Sequence, residues 1–247
     1  MDISPFVILS GVVIILISGL IQGMTSFGFS LLALPLLGLI LPIKIVVPIL
    51  VIYSLVINAI IIYKIREDVH LGRIKYLIIA GIISTPLGTY LLLILNENTL
   101  KVVIGIIISI SAISMLKGYK INIESKRENI SYIPVGLISG ILNGSVSLSG
   151  PPVILFLTNQ GVKKQIFRAN LTSYFLILNI ITIPTYFLGG LITKKVINHT
   201  IILFPALIIG VLLGIKLGNK VDEKIFKKLT LILVISMGIL SIISGIK

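Results

Sequence analysis

The chain has 247 residues, of which 56% are hydrophobic and 12% charged, with a mean hydropathy of +1.16. Soluble domains carry about 25% charged residues, so this composition excludes an ordinary soluble domain and points to an integral membrane protein. The net charge of +13 comes from Lys and Arg in short segments between apolar runs, not from one folded basic face, so nucleic acid is not an expected partner; the absence of Cys excludes disulfides, thiolate nucleophiles and sulfur-ligated metals.

A bilayer core about 30 Å thick takes roughly 20 apolar residues per helix. Apolar runs occur at about 6–41, 45–63, 74–95, 102–117, 131–160, 169–192, 199–218 and 229–246. They leave no room for a soluble domain, so residues 1–247 are read as one integral membrane domain. With Asp2 and no basic residue ahead of it, the first run is expected to stay in the membrane rather than be removed as a signal peptide.

The first and fifth runs are too long for one span, and each is interrupted. Gly19-Leu20-Ile21-Gln22-Gly23-Met24-Thr25-Ser26-Phe27-Gly28 breaks the first, and a stretch from Gly140 through Asn143, Gly144, Ser145, Ser147 and Ser149 to Gly150-Pro151-Pro152 breaks the fifth. A shift of 121 residues lays Gly19 on Gly140, Gln22 on Asn143, Gly23 on Gly144 and Ser26 on Ser147, and further on it lays Tyr53 on Tyr174 and Asn58 on Asn179. A five-residue insertion changes the shift to 126, which matches Ala80 with Ala206, Gly88 with Gly214 and Lys101 with Lys227. The chain is therefore read as two repeats, about 5–117 and 131–246, joined by a charged linker at 118–130.

Charge decides how the broken segments cross. The segment from Lys64 to Lys75 carries four basic residues and is taken as cytoplasmic, as is Lys117 to Ser131; Asn96 to Thr99 is then an external loop. If each broken segment crosses once, the 21 Lys and Arg divide 11 inside to 10 outside, which is no bias. If each is a hairpin returning to its own side, only Lys44, Lys101, Lys194, Lys195 and Lys247 are outside and 16 of the 21 are inside. The expected fold is thus an all-α polytopic membrane protein of two inverted-topology repeats, each a broken-helix hairpin plus three transmembrane helices, with both termini external.

Glycine-rich breaks at membrane depth survive only where protein or a water-filled cavity surrounds them. In matching places of two repeats they mark a transporter site, because the half-helices beyond them aim free N–H groups and a partial positive charge at the bilayer centre. Gln22, Thr25, Ser26, Asn143, Ser145, Ser147 and Ser149 add neutral polar groups there, with Gly23 and Gly144 beside them. Glycine and serine also permit close helix packing, and that reading stands beside the functional one. Asn58 and Asn179 either bond across helices or touch a guest; Thr172 and Ser173 point to the same interior, and Tyr53 and Tyr174 are wall residues or interface anchors. Arg168 is a topology anchor or an anion gate.

All eight acidic residues fall in termini or loops and both His70 and His199 at loop edges. No metal, cofactor or catalytic constellation is therefore expected, and a proton relay through an intramembrane carboxylate is not.

The residues Ser18 to Phe29 with Leu34-Pro35-Leu36, then Gly136-Leu137-Ile138-Ser139-Gly140 running to Ser149-Gly150-Pro151-Pro152, Phe167-Arg168-Ala169 and Tyr174-Phe175, resemble the sulfite exporter TauE/SafE family, also described as a sulfonate uptake permease family. The resemblance spans nearly the whole chain. It implies a permease, not an enzyme, moving small sulfur-containing or organic anions such as sulfite, sulfonates or carboxylates without ATP, in the plasma membrane of a prokaryote. By motif it carries the polar positions of both breaks and Arg168 over as the site. The second motif of relatives is often richer in glycine where Ser145, Ser147 and Ser149 stand here, which leaves the substrate open. Direction, a coupling ion (proton or sodium) and a homodimer are also open. An anion channel is the nearest alternative, and a membrane enzyme or assembly factor the more distant one.

Overall fold

In lipid every backbone amide needs a partner within the protein, and the Ile-, Leu- and Val-rich runs meet that demand as helices. The computed structural model describes residues 5–117, 128–158, 164–217 and 223–246, and among these there is no strand. Ten α-helices follow in order: α1 Pro5–Thr25, α2 Phe29–Leu37, α3 Ile43–Ile65, α4 Leu71–Ile94, α5 Glu97–Lys117, α6 Glu128–Val146, α7 Gly150–Thr158, α8 Lys164–Leu188, α9 Lys194–Leu217 and α10 Glu223–Ile246, with a 3-10 turn at Arg66–Asp68 between α3 and α4. Most of the expected linker, together with Asp2, Lys163, Asp222 and Lys247, lies outside the described residues.

Among the described residues, six helical stretches are long and apolar enough to cross a membrane: Pro5–Thr25, Ile43–Asp68, Ile74–Ile94, Glu97–Ser114, Gln165–Leu188 and Lys194–Leu217. Outward-facing apolar residues such as Phe6, Leu9, Val13 and Ile17 on α1 recur at three- and four-residue spacing, which makes one stripe of a helix lipid-facing. The chain is a multi-pass membrane protein.

Helices run past the apolar residues into their charged flanks, because the backbone keeps its hydrogen bonds to the edge of the bilayer. The residues expected as an external loop at 96–99 form the start of α5 instead. Asn96 caps it, its Oδ1 accepting Thr99 N–H at 2.7 Å. Glu97 in the first turn accepts Ile43 N–H at 2.6 Å and so ties the start of α5 to the start of α3. His199, expected at a loop edge, is instead buried inside α9, with Nδ1 2.7 Å from the Lys195 carbonyl oxygen.

The two long runs break where a helix ends on a left-handed serine. Ser26 has φ 66° and Ser147 has φ 57°. The Ser26 N–H bonds the Gln22 carbonyl at 2.7 Å and the Ser147 N–H the Asn143 carbonyl at 3.0 Å, closing α1 and α6 in the same way. Gly28, also left-handed at φ 102°, turns the chain into α2.

Packing is reciprocal between the halves. Against α9, Gly11 faces Leu203, Gly19 faces Leu207 and Gly23 faces Val211, so α1 and α9 run parallel; against α4, Gly136 faces Leu77, Gly140 faces Gly81 and Gly144 faces Thr85, so α6 and α4 run parallel too. Gly88 lies on the carbonyl of Ile141 and Gly214 on that of Leu20. These pairs exchange under the shifts of 121 and 126 residues seen in the sequence. Small residues let the backbones approach this closely.

Counterpart helices run antiparallel. Asn179 meets Ser54 while Asn170 meets His70 N, which fixes α8 against α3. Gly105 faces Gly238 and Ile242 while Gly245 faces Asn98, which fixes α10 against α5. The first part of α1 lies beside the first part of α9, and the start of α9 shares a groove with Lys44 and Ile45 of α3. The start of α1 and the start of α3, which follows α2, therefore lie towards the same end of α9.

Candidate functional site

Between the two breaks lies a cavity of about 30 Å³, room for a guest of a few heavy atoms. Its wall is built from Gln22 of α1, the turn and first residues of α2 (Phe27 to Leu31), Ser54 of α3, Asn143 of α6, the segment Ser147 to Pro151, and Ile154 and Phe175. The two tips meet there, with Ser30 Oγ and Ser147 Oγ 3.2 Å apart.

Both short helices begin at the cavity. A helix leaves its first N–H groups without internal partners and carries a partial positive charge at that end. In α2 the Phe29 N–H is taken by Gln22 Oε1 at 3.0 Å, and the next two residues, Ser30 and Leu31, line the cavity. In α7 the first residue, Gly150, has an N–H, but Pro151 and Pro152 have none. Prolines suit the first turn of a helix because the lost donors have no partner there anyway, and they make the α7 end poorer in donors than the α2 end.

Behind the wall runs a continuous polar network. Gln22 Nε2 donates to Asn58 Oδ1 at 3.4 Å, and Asn58 Nδ2 donates to Ser54 Oγ at 3.0 Å. From the other half, Asn143 Nδ2 donates to Asn179 Oδ1 at 3.4 Å and to Thr182 Oγ1 at 2.8 Å, and Asn179 Nδ2 donates to Ser54 Oγ at 2.9 Å. The pairs Gln22–Asn58 and Asn143–Asn179 are each 36 residues apart. All these side chains except Ser54 are almost fully buried, so each unmade bond would carry the full desolvation cost of a polar group in an apolar interior.

Of the residues singled out from the sequence, Gln22, Asn143, Ser147 and Ser149 stand on the cavity wall, and Asn58 and Asn179 one bond behind it. Ser26 is fully buried and lies off the wall, its Oγ accepting Arg168 Nε at 2.8 Å; Arg168, half-buried on α8, stands beyond it. Thr25 Oγ1 bonds the carbonyl of Ile21 and Ser145 Oγ that of Ile141, both at helical spacing, and neither lines the cavity. Gly23 and Gly144 face α9 and α4, where an added Cβ would strike backbone. Tyr53 is wholly buried and donates to the Thr200 carbonyl at 2.6 Å, which makes it a helix tie.

Four residues of the site escaped the sequence reading. Ser54 sits one helical turn before Asn58, Ser30 lies within an apolar helix, and Thr182 and Ser139 bond to Asn143 and to the Ser149 carbonyl. The i to i+4 spacing of Ser54 and Asn58 was the available signal. Among the described residues no group of three or more His, Asp or Glu has the arrangement of a metal site.

Residues 11–241 match the model of the family described as Sulfite exporter TauE/SafE. No curated protein and no solved structure matches the chain.

Proposed function

The chain belongs to the sulfite exporter TauE/SafE family, and from that membership we propose that it is a secondary transporter moving a small sulfur-containing or organic anion through the cavity between its two broken helices. At the level of the family it is a membrane permease of sulfur anions rather than an enzyme. The observation that carries the finer reading is the cavity itself: a chamber with Gln22, Ser30, Ser54, Asn143, Ser147 and Ser149 among its lining residues, fronted by the N-terminal ends of α2 and α7. Helix ends with hydroxyl and backbone donors hold an anion without a cation on the wall.

The two halves form inverted-topology repeats, each a broken-helix hairpin plus three spans, in the plasma membrane of a prokaryote. Antiparallel running of α3 against α8 and of α5 against α10, and the starts of α1 and α3 lying towards the same end of α9, support this arrangement. Repeats of this kind rock against each other around a fixed midplane site. Among the described residues no acidic side chain and no histidine stands on the cavity wall, which favours a coupled proton riding on the anion.

Counterflow in proteoliposomes tests the reading: labelled sulfite should accumulate against unlabelled sulfite or sulfonate with saturable kinetics. Absence of saturable exchange for every sulfur or small organic anion tried overturns it, and an anion conductance far above carrier turnover replaces it with a channel.

A further inference from the structure

The polarity of the network is set from both ends by groups with no choice. A backbone N–H can only donate, so Phe29 takes Gln22 Oε1 and the Gln22 amide nitrogen must face Asn58 Oδ1. Asn58 then presents its own NH₂ to Ser54. At the other end, Thr182 gives its hydroxyl hydrogen to the Leu178 carbonyl at 2.8 Å, so its oxygen accepts from Asn143 Nδ2. The same NH₂ group supplies Asn179 Oδ1, and Asn179 turns its NH₂ to Ser54.

Two donors therefore arrive on one hydroxyl oxygen, from opposite halves of the chain. A serine hydroxyl has two acceptor sites and one hydrogen, so both lone pairs are filled and only the hydrogen is left. Ser54 makes no back-bond to the carbonyl one turn earlier, as several other hydroxyls in these helices do, and it lines the cavity.

The second group comes from a difference of one methylene. Gln22 and Asn143 occupy matching places, but the longer side chain reaches the first N–H of its short helix and the shorter does not. Both hydrogens of Asn143 Nδ2 are in use, while Asn143 Oδ1 has no partner among the described residues; Asn143 and Gly150 both stand on the wall. The wall thus holds a committed hydroxyl donor, a backbone N–H and a carbonyl acceptor.

We propose that this cavity selects an anion that carries a hydrogen-bond donor of its own, a singly charged oxyanion with one acidic proton or hydroxyl. Its oxygens take the Ser54 hydroxyl and the Gly150 N–H, and its hydrogen goes to Asn143 Oδ1. The assignment rests on the transporter reading above and names the form of the anion bound.

The test compares hydrogen sulfite, held anaerobically below the second ionisation of sulfite, with methanesulfonate. Each is singly charged and has three sulfur oxygens; hydrogen sulfite carries a proton on one of them, whereas methanesulfonate carries a methyl on sulfur and has no donor. Calorimetry on the purified protein should give about tenfold tighter binding of hydrogen sulfite, the size expected when a buried acceptor would otherwise go unpaired. In Asn143→Gln the longer side chain reaches Gly150 N–H as Gln22 reaches Phe29, and the ratio should fall to about one. Mere crowding by the extra methylene would disfavour the bulkier methyl and move the ratio the other way. Ser54→Ala should weaken both anions alike by about tenfold, with Ser54→Thr restoring them. Equal binding by the wild type, or an unchanged ratio in Asn143→Gln, overturns the selection while leaving the transporter reading in place. Ser54→Ala binding as tightly as wild type overturns the donor assignment. Failure of the wild type to bind either anion counts against the transporter reading itself.

Discussion

Arg168 Nε donates to Ser26 Oγ across 2.8 Å, so a cation from the second half of the chain is held on the left-handed tip of the first. Arg168 stands off the cavity wall, and its charge acts through the tip rather than by touching the guest. Arg168→Gln keeps a donor for Ser26 and removes the charge. The KM of anion counterflow should rise about tenfold, roughly 1.4 kcal/mol, the interaction of a charge about 12 Å away at an effective dielectric near 20. Arg168→Lys should change it less. An unchanged KM in Arg168→Gln assigns the residue to holding the tip alone.

Ser26 and Ser147 sit in a region where a side chain costs roughly 1–2 kcal/mol. Glycine there should raise the thermal midpoint in detergent, by up to about 1 kcal/mol of stability each after its greater freedom in the unfolded chain is offset. Transport should nonetheless fall, since Ser26→Gly removes the Arg168 contact and Ser147→Gly the Ser30 contact. Alanine keeps the backbone strain and loses the hydroxyl, so it should be the less stable of the two; the opposite order would mean that strain is negligible at these tips.

An alanine Cβ at Gly144 would come within 2.7 Å of Thr89 N, and one at Gly23 within 2.5 Å of the Val211 carbonyl oxygen. Neither backbone can retreat without separating two helices. Gly144→Ala and Gly23→Ala should each destabilise by about 3 kcal/mol, read as lost monodisperse protein on size exclusion. Gly72→Ala, with open space around it near the start of α4, should be neutral or slightly stabilising and serves as the control.

Gln22→Leu leaves Phe29 N–H without its acceptor and Asn58 without its donor, both in an apolar interior. The expected loss is about 1–3 kcal/mol for each unpaired group, visible as a lower melting midpoint with the chain still folded. Gln22→Glu keeps the acceptor for Phe29 but presents an oxygen to Asn58 Oδ1, and should be the more damaging to anion binding because it places a negative charge on the cavity wall.

Much of the helical layout was legible because hydropathy and helix length both answer to the same 30 Å slab. Runs such as 45–63 and 74–95 became α3 and α4 within a few residues. The misread places are those where charged or polar residues continue a helix: Asn96 to Thr99 caps α5 rather than looping, and His199 is buried in α9. Within the breaks, residue type alone does not reveal which way a side chain points. Gly23 and Gln22 are neighbours, yet the glycine faces α9 and the glutamine the cavity. Ser54 carried no signal as strong as the duplicated asparagines, because its counterpart at the shift of 121 is Phe175 and a comparison of repeats passes over it. Its place is set by the two amides that converge on it from both halves.

That mismatch bears on ancestry. If the two halves descend from identical subunits paired about a two-fold axis, every residue near the axis was once present twice: two serines or two phenylalanines at the place of Ser54 and Phe175, two arginines or two valines at that of Arg168 and Val47. Symmetry would have allowed no single donor at the centre and no lone cation on one tip. A single chain is free of that restriction, and here one face of the cavity carries the hydroxyl of Ser54 and another the ring of Phe175.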